Sequence, residues 1–248
     1  MTRPLYVGLT SIVQNQAILL QTLQSIERQT RRPDRCFLYL SEEPYLLDRG
    51  FKDKLLNPQL QTYIQANIWI ELNWVPNTGP YRKLLPLLRQ MWNKDCLIVT
   101  LDDDTVYHPQ LLEHYESDYT VYKSCIAYRG FRFADNSFDY FKRGNPIESH
   151  LYNFATGKGG VLYHPSIFHK TGNLIFDTVG IEKAPTADDV WFNFVRIAAQ
   201  EPLVLRNTPW EIKDLTNTAL ALFSNFNHDK NTETIQKCIL YLESIGFL

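Results

Sequence analysis

Three consecutive carboxylates, Asp102-Asp103-Asp104, close the run Cys96-Leu97-Ile98-Val99-Thr100-Leu101. That run is apolar or β-prone throughout, as a central strand should be. No basic residue stands beside the triplet in sequence, and clustered like charges are unfavourable unless a cation is present. Hard oxygen donors at the carboxyl end of a strand suit Mg2+ or Mn2+, with a phosphate group as the other partner. A solvated acidic turn would use the same residues, because aspartate favours turns.

A second acidic pair stands in Thr186-Ala187-Asp188-Asp189, ahead of a segment in which Val190, Phe194 and Ile197 share one helical face. Thr186 and Asp189 have the spacing of a capping box, and acids suit a helix N-terminus. Alongside the triplet, a carboxylate fixed there could instead accept a hydroxyl proton as a general base. The helix dipole would hold its pKa low unless burial offsets it. Between the acidic groups, Gly157-Lys158-Gly159-Gly160 precedes the apolar Val161-Leu162-Tyr163. These glycines allow close backbone approach to a ligand, or they shape a bend before a strand. The spacing is neither that of a P-loop nor that of a dinucleotide fingerprint.

Elements that could position these groups alternate along the first half. Leu5 to Ile12, Cys36 to Leu40, Ile68 to Trp74 and the run before Asp102 read as strands. Leu19, Leu20, Leu23 and Ile26 recur at helical spacing; Pro44 to Leu56 reads as a weaker helix closed by Asn57-Pro58. Tyr81 to Trp92 reads as a helix that Pro86 kinks or splits, and Pro109 to Tyr122 as an amphipathic helix. This βαβα order predicts a mostly parallel sheet covered by helices. After Ser124 the pattern changes. Ile126-Ala127-Tyr128 is a plausible strand, and Gly130 to Asn153 is irregular and rich in aromatics: Phe131, Phe133, Phe138, Tyr140, Phe141 and Tyr152. That segment either serves a second ligand or covers the surface. With no repeat or linker, residues 1–248 read as one domain, with 1–123 as one functional half and 124–248 as the other, ending in a helix.

Composition narrows the class. With 44% hydrophobic residues in 248, the chain can bury a substantial core. A net charge of −2 argues against a nucleic-acid binder acting through bulk charge. Cys36, Cys96, Cys125 and Cys238 form no CxxC pair and read as buried thiols of a reducing compartment. Thr2-Arg3-Pro4 leads into a strand without a signal-peptide pattern. No stretch has the length of a membrane span, and a peripheral membrane contact remains open.

In order, these segments resemble the GT-A nucleotide-sugar glycosyltransferases, and in detail the family-2-like bacterial enzymes. Val99-Thr100-Leu101-Asp102-Asp103-Asp104 resembles their DxD motif. Gly157-Lys158-Gly159-Gly160-Val161-Leu162 resembles the Gly-rich stretch of the donor-sugar and acceptor half, and Ala187-Asp188-Asp189-Val190 their Glu-Asp-Val motif. Gly8-Leu9-Thr10-Ser11 resembles the first strand and nucleotide loop. Ser25-Ile26-Glu27-Arg28-Gln29-Thr30 is similar to a helix end common in such enzymes, and Asn77-Thr78-Gly79-Pro80-Tyr81-Arg82-Lys83-Leu84 to a donor-side segment. The resemblance covers roughly residues 5–200. Each motif is short; their order and spacing carry the likeness.

The resemblance implies an α/β, GT-A type three-layer sandwich with a mostly parallel central sheet. It implies a metal-dependent, inverting transferase of surface-glycan or polysaccharide synthesis, moving sugar from a nucleotide-diphosphate donor to a hydroxyl on a glycan or lipid-linked acceptor. Mn2+ or Mg2+ would be held by Asp104, secondarily Asp102, and by a late histidine, His228, for which an exposed loop position is the alternative. Thr10, Ser11, Arg82, Lys83, Asp102 and Asp103 would meet the donor, although Arg82 and Lys83 would also suit an exposed helix face. Gly159, Gly160 and Lys158 would line the donor-sugar and acceptor side. Asp189, with Asp188 next, would be the catalytic base. The protein would be cytoplasmic, with the inner membrane surface as an open site of contact. Two other readings exist. Asp102-x-Asp104-x-Val106 matches the nucleophile motif of haloacid dehalogenase-type phosphatases, where Asp102 would attack phosphorus; that motif normally follows the first strand, and here about three strands precede it. The aromatics alone would fit a non-catalytic carbohydrate-binding protein.

Overall fold

A computed structural model describes residues 3–134, 138–140, 143–144, 148–208, 210–215, 218–228 and 230–248. Phe141 and Asp229 lie outside them.

The first four strands arise where the sequence predicts them: β1 (Leu5–Thr10), β2 (Arg35–Leu40), β3 (Ile70–Trp74) and β4 (Leu97–Leu101). They are followed by β5 (Thr105–Val106), β6 (Cys125–Ala127), β7 (Gly130–Phe133), β8 (Arg143–Gly144), β9 (Ser149–His150), β10 (Asn153–Ala155), β11 (Val161–Tyr163), β12 (Leu203–Leu205) and β13 (Lys213–Asp214). An eight-stranded sheet runs β3-β2-β1-β4-β11-β6-β12-β9. Strands β3, β2, β1 and β4 are mutually parallel, with Leu5 opposite Leu97 and Leu9 opposite Leu101. β11 runs antiparallel to β4, with Val161 opposite Thr100. The chain therefore leaves β1 and β4 at the same edge at which it enters β11.

Helices are α1 (Gln16–Glu27), α2 (Pro58–Ala66), α3 (Leu85–Gln90), α4 (Leu111–Tyr122), α5 (Thr178–Lys183), α6 (Asp188–Ala198) and α7 (Asn231–Ser244). Two apolar cores cover the two faces of the sheet, as the period-2 alternation of its strands requires. On one face Phe37, Tyr39 and Ile98 pack with Leu87, Trp191, Phe194 and Leu242. On the other, Val7, Leu9, Leu38, Val99 and Leu101 pack with Leu19, Leu23, Leu60 and Leu112. Each fully buried large side chain contributes about 1.5–3 kcal/mol of transfer free energy. α6 is buried nearly all round, from Val190 to Ile197. It is a core helix rather than an amphipathic surface one.

One predicted element is overturned. Pro44 to Leu56 forms no α-helix; it holds an isolated bridge, Tyr45 to Asp48, and a 3-10 turn, Lys52–Lys54. Asn57-Pro58 opens a helix instead of closing one. The Asn57 side chain accepts the Leu60 N–H at 2.8 Å, and Pro58 occupies the first turn, where its missing donor costs nothing. Pro86 does split its segment, into a 3-10 turn at Gly79–Lys83 and α3. The four cysteines are buried free thiols.

Candidate active site

The order β3-β2-β1-β4 reverses direction between β1 and β4, so the loops leaving these strands splay apart and open a crevice at their carboxyl ends. Thr10-Ser11 leaves β1 there, and Asp102-Asp103-Asp104 leaves β4. The antiparallel β11 brings Gly157–Gly160 to the same place, and α6 delivers Asp188 and Asp189 from its first turn. A cavity of about 520 Å³ lies between them, lined by Thr10, Ser11, Arg82, Lys83, the three aspartates of the triplet, Lys158, Asp188 and Asp189.

The triplet's side chains diverge. Asp103 turns inward, accepting hydrogen bonds from Ser11 Oγ and from Asn15 Nδ2, the latter at 3.2 Å. Burial, and then the neighbouring Asp104 charge, push its pKa up to about 7, against the two hydrogen bonds. Asp102 faces Lys83, whose Nζ lies 2.9 Å from its Oδ1. The Tyr107 hydroxyl accepts the Asp102 backbone N–H at 2.8 Å and fixes the turn. The strand after the triplet is pinned by β13, with Leu215 N–H bonded to Asp104 O at 2.8 Å.

Lys83 corrects the picture of an exposed basic pair. Its ammonium is buried and also lies 3.0 Å from Asp188 Oδ2, a charge contact rather than an aligned hydrogen bond. Burial opposes its charge, yet Asp102, Asp188 and Asp189 together hold its pKa well above the ordinary lysine value. The triplet thus has a basic neighbour after all, brought from a distant turn. Arg82 is buried as well. Its guanidinium binds Asp48 Oδ2 at 3.1 Å, Ser41 Oγ at 2.7 Å and Gly79 O at 3.0 Å. Asp48 in turn accepts N–H groups of Val13 and Gly50. Arg82 therefore ties the β1 loop to the Tyr45–Gly50 segment, of which Tyr45 to Asp48 line the cavity together with Ser11 and Ile12.

The acidic pair is not the reciprocal cap that its spacing allows. No side chain caps α6; Thr186 Oγ1 donates instead to Asn227 Oδ1 at 2.6 Å, and Asn227 Nδ2 returns a bond to Thr186 O at 2.8 Å. Asp189 accepts a long hydrogen bond from Gly157 N–H, 3.4 Å. Burial and the Asp188 charge raise its pKa to about 6, against Lys83. Burial raises that of Asp188 too. Burial thus overrides the dipole that would have kept these carboxylates acidic.

A Cβ on Gly157 would lie 2.8 Å from Lys83 Nζ, so glycine permits the close approach of loop and ammonium. Gly159 and Gly160 do not line the cavity; Gly160 has φ of 79°, and Gly159 O accepts the Tyr115 hydroxyl at 3.2 Å, so both shape the entry to β11. His228 does not line the cavity either. It is exposed, its ring edge-on to Phe223 at 5.5 Å, one residue beyond Asn227, which does line it. Among the described residues, no group of three or more His, Cys, Asp and Glu side chains is arranged to hold a metal. Carboxylates without a completed cage suit a cation that takes its remaining ligands from a phosphate-bearing substrate.

Solved structures with this arrangement of strands and helices exist. The mannosyltransferase PcManGT from Pyrobaculum calidifontis, in complex with GDP-Man and Mn2+, matches over 98% of this chain and 75% of its own, at 10% identity and a TM-score of 0.59. S. aureus TarS 1-349 in complex with UDP matches over 98% of this chain and 72% of its own, at 10% identity and a TM-score of 0.56. A 4-diphosphocytidyl-2C-methyl-D-erythritol synthase from Anaerococcus prevotii matches over 91% of this chain and 98% of its own, at 13% identity and a TM-score of 0.52. The fold is GT-A. No family model and no curated protein matches the sequence. In the GT-A frame the triplet follows the fourth strand, not the first, as the phosphatase motif would require. No helix among the described residues is long and apolar enough to cross a membrane.

Sequence reasoning missed Asn15, Asp48, Arg129, Asn227 and Asn231 at this cavity. Asp48 was hidden in the segment misread as a helix. Nothing in the local sequence marks the others.

Proposed function

We propose that this chain transfers a sugar from a nucleoside diphosphate donor to a hydroxyl acceptor. The observation that carries this reading is the convergence of the triplet, Lys83 and the Asp188–Asp189 pair on one cavity at the switch point of a GT-A sheet. Residues 1–123 take the nucleotide between the β1 loop and the Tyr45–Gly50 segment, and residues 124–248 take the acceptor. The GDP-Man, UDP and UDP-GlcNAc complexes of the neighbours support a nucleotide-sugar donor.

Asp104, with Asp102 second, would hold Mn2+ or Mg2+ against the diphosphate, where the ion would act as a Lewis acid on the leaving group. Asp103, turned onto Ser11 and Asn15, holds the loop in place. Lys83 adds a fixed positive charge between the diphosphate side and the acceptor side. Asp189 takes the proton from the acceptor hydroxyl as its oxygen attacks the anomeric carbon. The bond from that carbon to the phosphate oxygen breaks, and nucleoside diphosphate leaves. A raised pKa makes Asp189 a better base than a solvated aspartate. Attack opposite the leaving group inverts the anomeric centre.

The test is a thermal-shift screen of nucleotide sugars with and without Mn2+, followed by assay of nucleoside diphosphate release. A ligand of the native state raises the melting temperature. One or more nucleotide sugars should do so more strongly with Mn2+. Aryl phosphate turnover lost in Asp102→Asn, with no nucleotide-sugar response, would replace this reading with the phosphatase one.

A further inference from the structure

One part of the cavity lining differs in chemistry from the triplet. Its floor is aromatic: Phe131 stacks on Phe154 with centroids 5.0 Å apart and meets Tyr140 edge-on at 5.2 Å. Its wall is the turn Phe223–Asn227, a π-helical turn, which is a form that often marks functional sites. Phe223, 45% exposed, lines the cavity. Asn227 locks this wall to Thr186 by the two reciprocal hydrogen bonds described above, three residues before the proposed base.

Asn231 closes the same end. Its side chain is only 5% exposed and lines the cavity, and its Oδ1 has no hydrogen-bond partner. A buried amide oxygen without a donor is costly, on the order of 1–3 kcal/mol, unless a ligand supplies one. The cations that line the cavity are committed elsewhere. Lys83 serves Asp102 and Asp188, Arg82 serves Asp48, Lys158 pairs with Asp214, and Arg129 bonds Thr156 beside the glycine loop. This end therefore offers the half-exposed Phe223 ring and an orphan acceptor, with no uncommitted cation among the described residues that line it.

We infer that this end binds a neutral saccharide acceptor, with a sugar hydroxyl donating to Asn231 Oδ1 and an apolar sugar face against Phe223. A phosphate-bearing lipid used directly as acceptor would meet no uncommitted positive charge among the described residues there. This inference rests on the transferase reading and names its acceptor class.

The experiment uses the full chain with UDP or GDP and Mn2+. One arm applies an array of neutral oligosaccharides; a parallel arm uses phosphatidylcholine vesicles carrying polyprenyl phosphate. Neutral glycans should bind. Asn231→Leu and Phe223→Ala should each weaken that binding at least tenfold, with the nucleotide-induced thermal shift unchanged. Asn231→Asp, which keeps an acceptor oxygen, should retain binding. Failure of any nucleotide to bind would strike the transferase reading itself. Nucleotide binding with capture by polyprenyl phosphate vesicles and not by glycans overturns the inference, as does capture by neither. Glycan binding indifferent to both Asn231→Leu and Phe223→Ala overturns it too. Phe223 is half exposed and outside the core, so its variant keeps the test valid if Asn231→Leu folds poorly.

Discussion

The two acidic clusters of the site share one lysine but are built in different ways. Asp102-Asp103-Asp104 hangs from the end of a strand, and its three side chains part company: one inward to Ser11 and Asn15, one to Lys83, one along the loop. Asp188 and Asp189 start a helix whose own body is buried, and both carboxylates are driven toward protonation by that burial. The two constructions suit different chemistry. Asp102 and Asp104, partly exposed on the turn, can be completed by a cation and a diphosphate, whereas Asp103 turns inward and holds the loop. Asp188, buried, and Asp189, partly exposed with its pKa raised to about 6, are suited to hold and release a proton at the cavity wall.

Removing the cation should disable the triplet and spare the acidic pair. Excess chelator, or Asp104→Asn, should lower nucleoside diphosphate release by roughly 10³-fold, since Lewis-acid stabilisation is worth several kcal/mol. The fold should survive, with circular dichroism unchanged. The same treatment should leave the proton-handling pair structurally intact.

Lys83 joins the clusters, so its loss should be felt in both. Lys83→Met leaves Asp188 buried without its counter-charge, and breaking a buried pair costs about 3–5 kcal/mol. Chemical denaturation should show that loss at pH 7, and much less of it near pH 4, where the carboxylates protonate. An exposed lysine would show neither.

The acidity of the pair yields opposite pH trends for rate and stability. In the metal-free protein, Asp189 at about 6 and Asp103 at about 7 hold protons that an unfolded chain releases near 3.8. The native state therefore binds more protons between pH 4 and 7, and stability falls as pH rises through that window. Turnover needs the Asp189 carboxylate, so it should fall about tenfold per pH unit below 6. Stability that rises with pH across this window would contradict the burial argument.

Much of this was legible in the sequence. The four parallel strands, the split at Pro86, the aspartate turn and the start of α6 all follow from period, proline chemistry and apolar runs. Residues 44–56 were not legible, because Asn57-Pro58 can end one helix or begin another with equal local propriety. The partnership of Lys83 with Asp102 and Asp188 was hidden for a different reason. It joins residues from three separate elements, and nothing in the neighbours of Lys83 marks it as buried. The cap that the spacing of Thr186 and Asp189 allows does not form, because the helix starts with Ala187 as its N-cap, leaving Thr186 one residue outside, where its hydroxyl bonds Asn227. Thr186→Ala should consequently cost only about 1 kcal/mol, the usual worth of one neutral hydrogen bond. It should loosen the Leu222–Asn227 wall, seen as faster amide exchange there, without shortening α6.

The proposed mechanism depends most on Asp189 as the base of the sugar transfer. Turnover per folded molecule in Asp189→Asn, measured as nucleoside diphosphate released with acceptor present, tests it most directly. The amide keeps the shape and removes both the proton acceptor and its charge. Release should fall by roughly 10²-fold or more, with nucleotide affinity unchanged and the melting temperature level or higher. Full turnover with a lower melting temperature would make Asp189 a structural residue and move the base elsewhere, with Asp188 next to be tested.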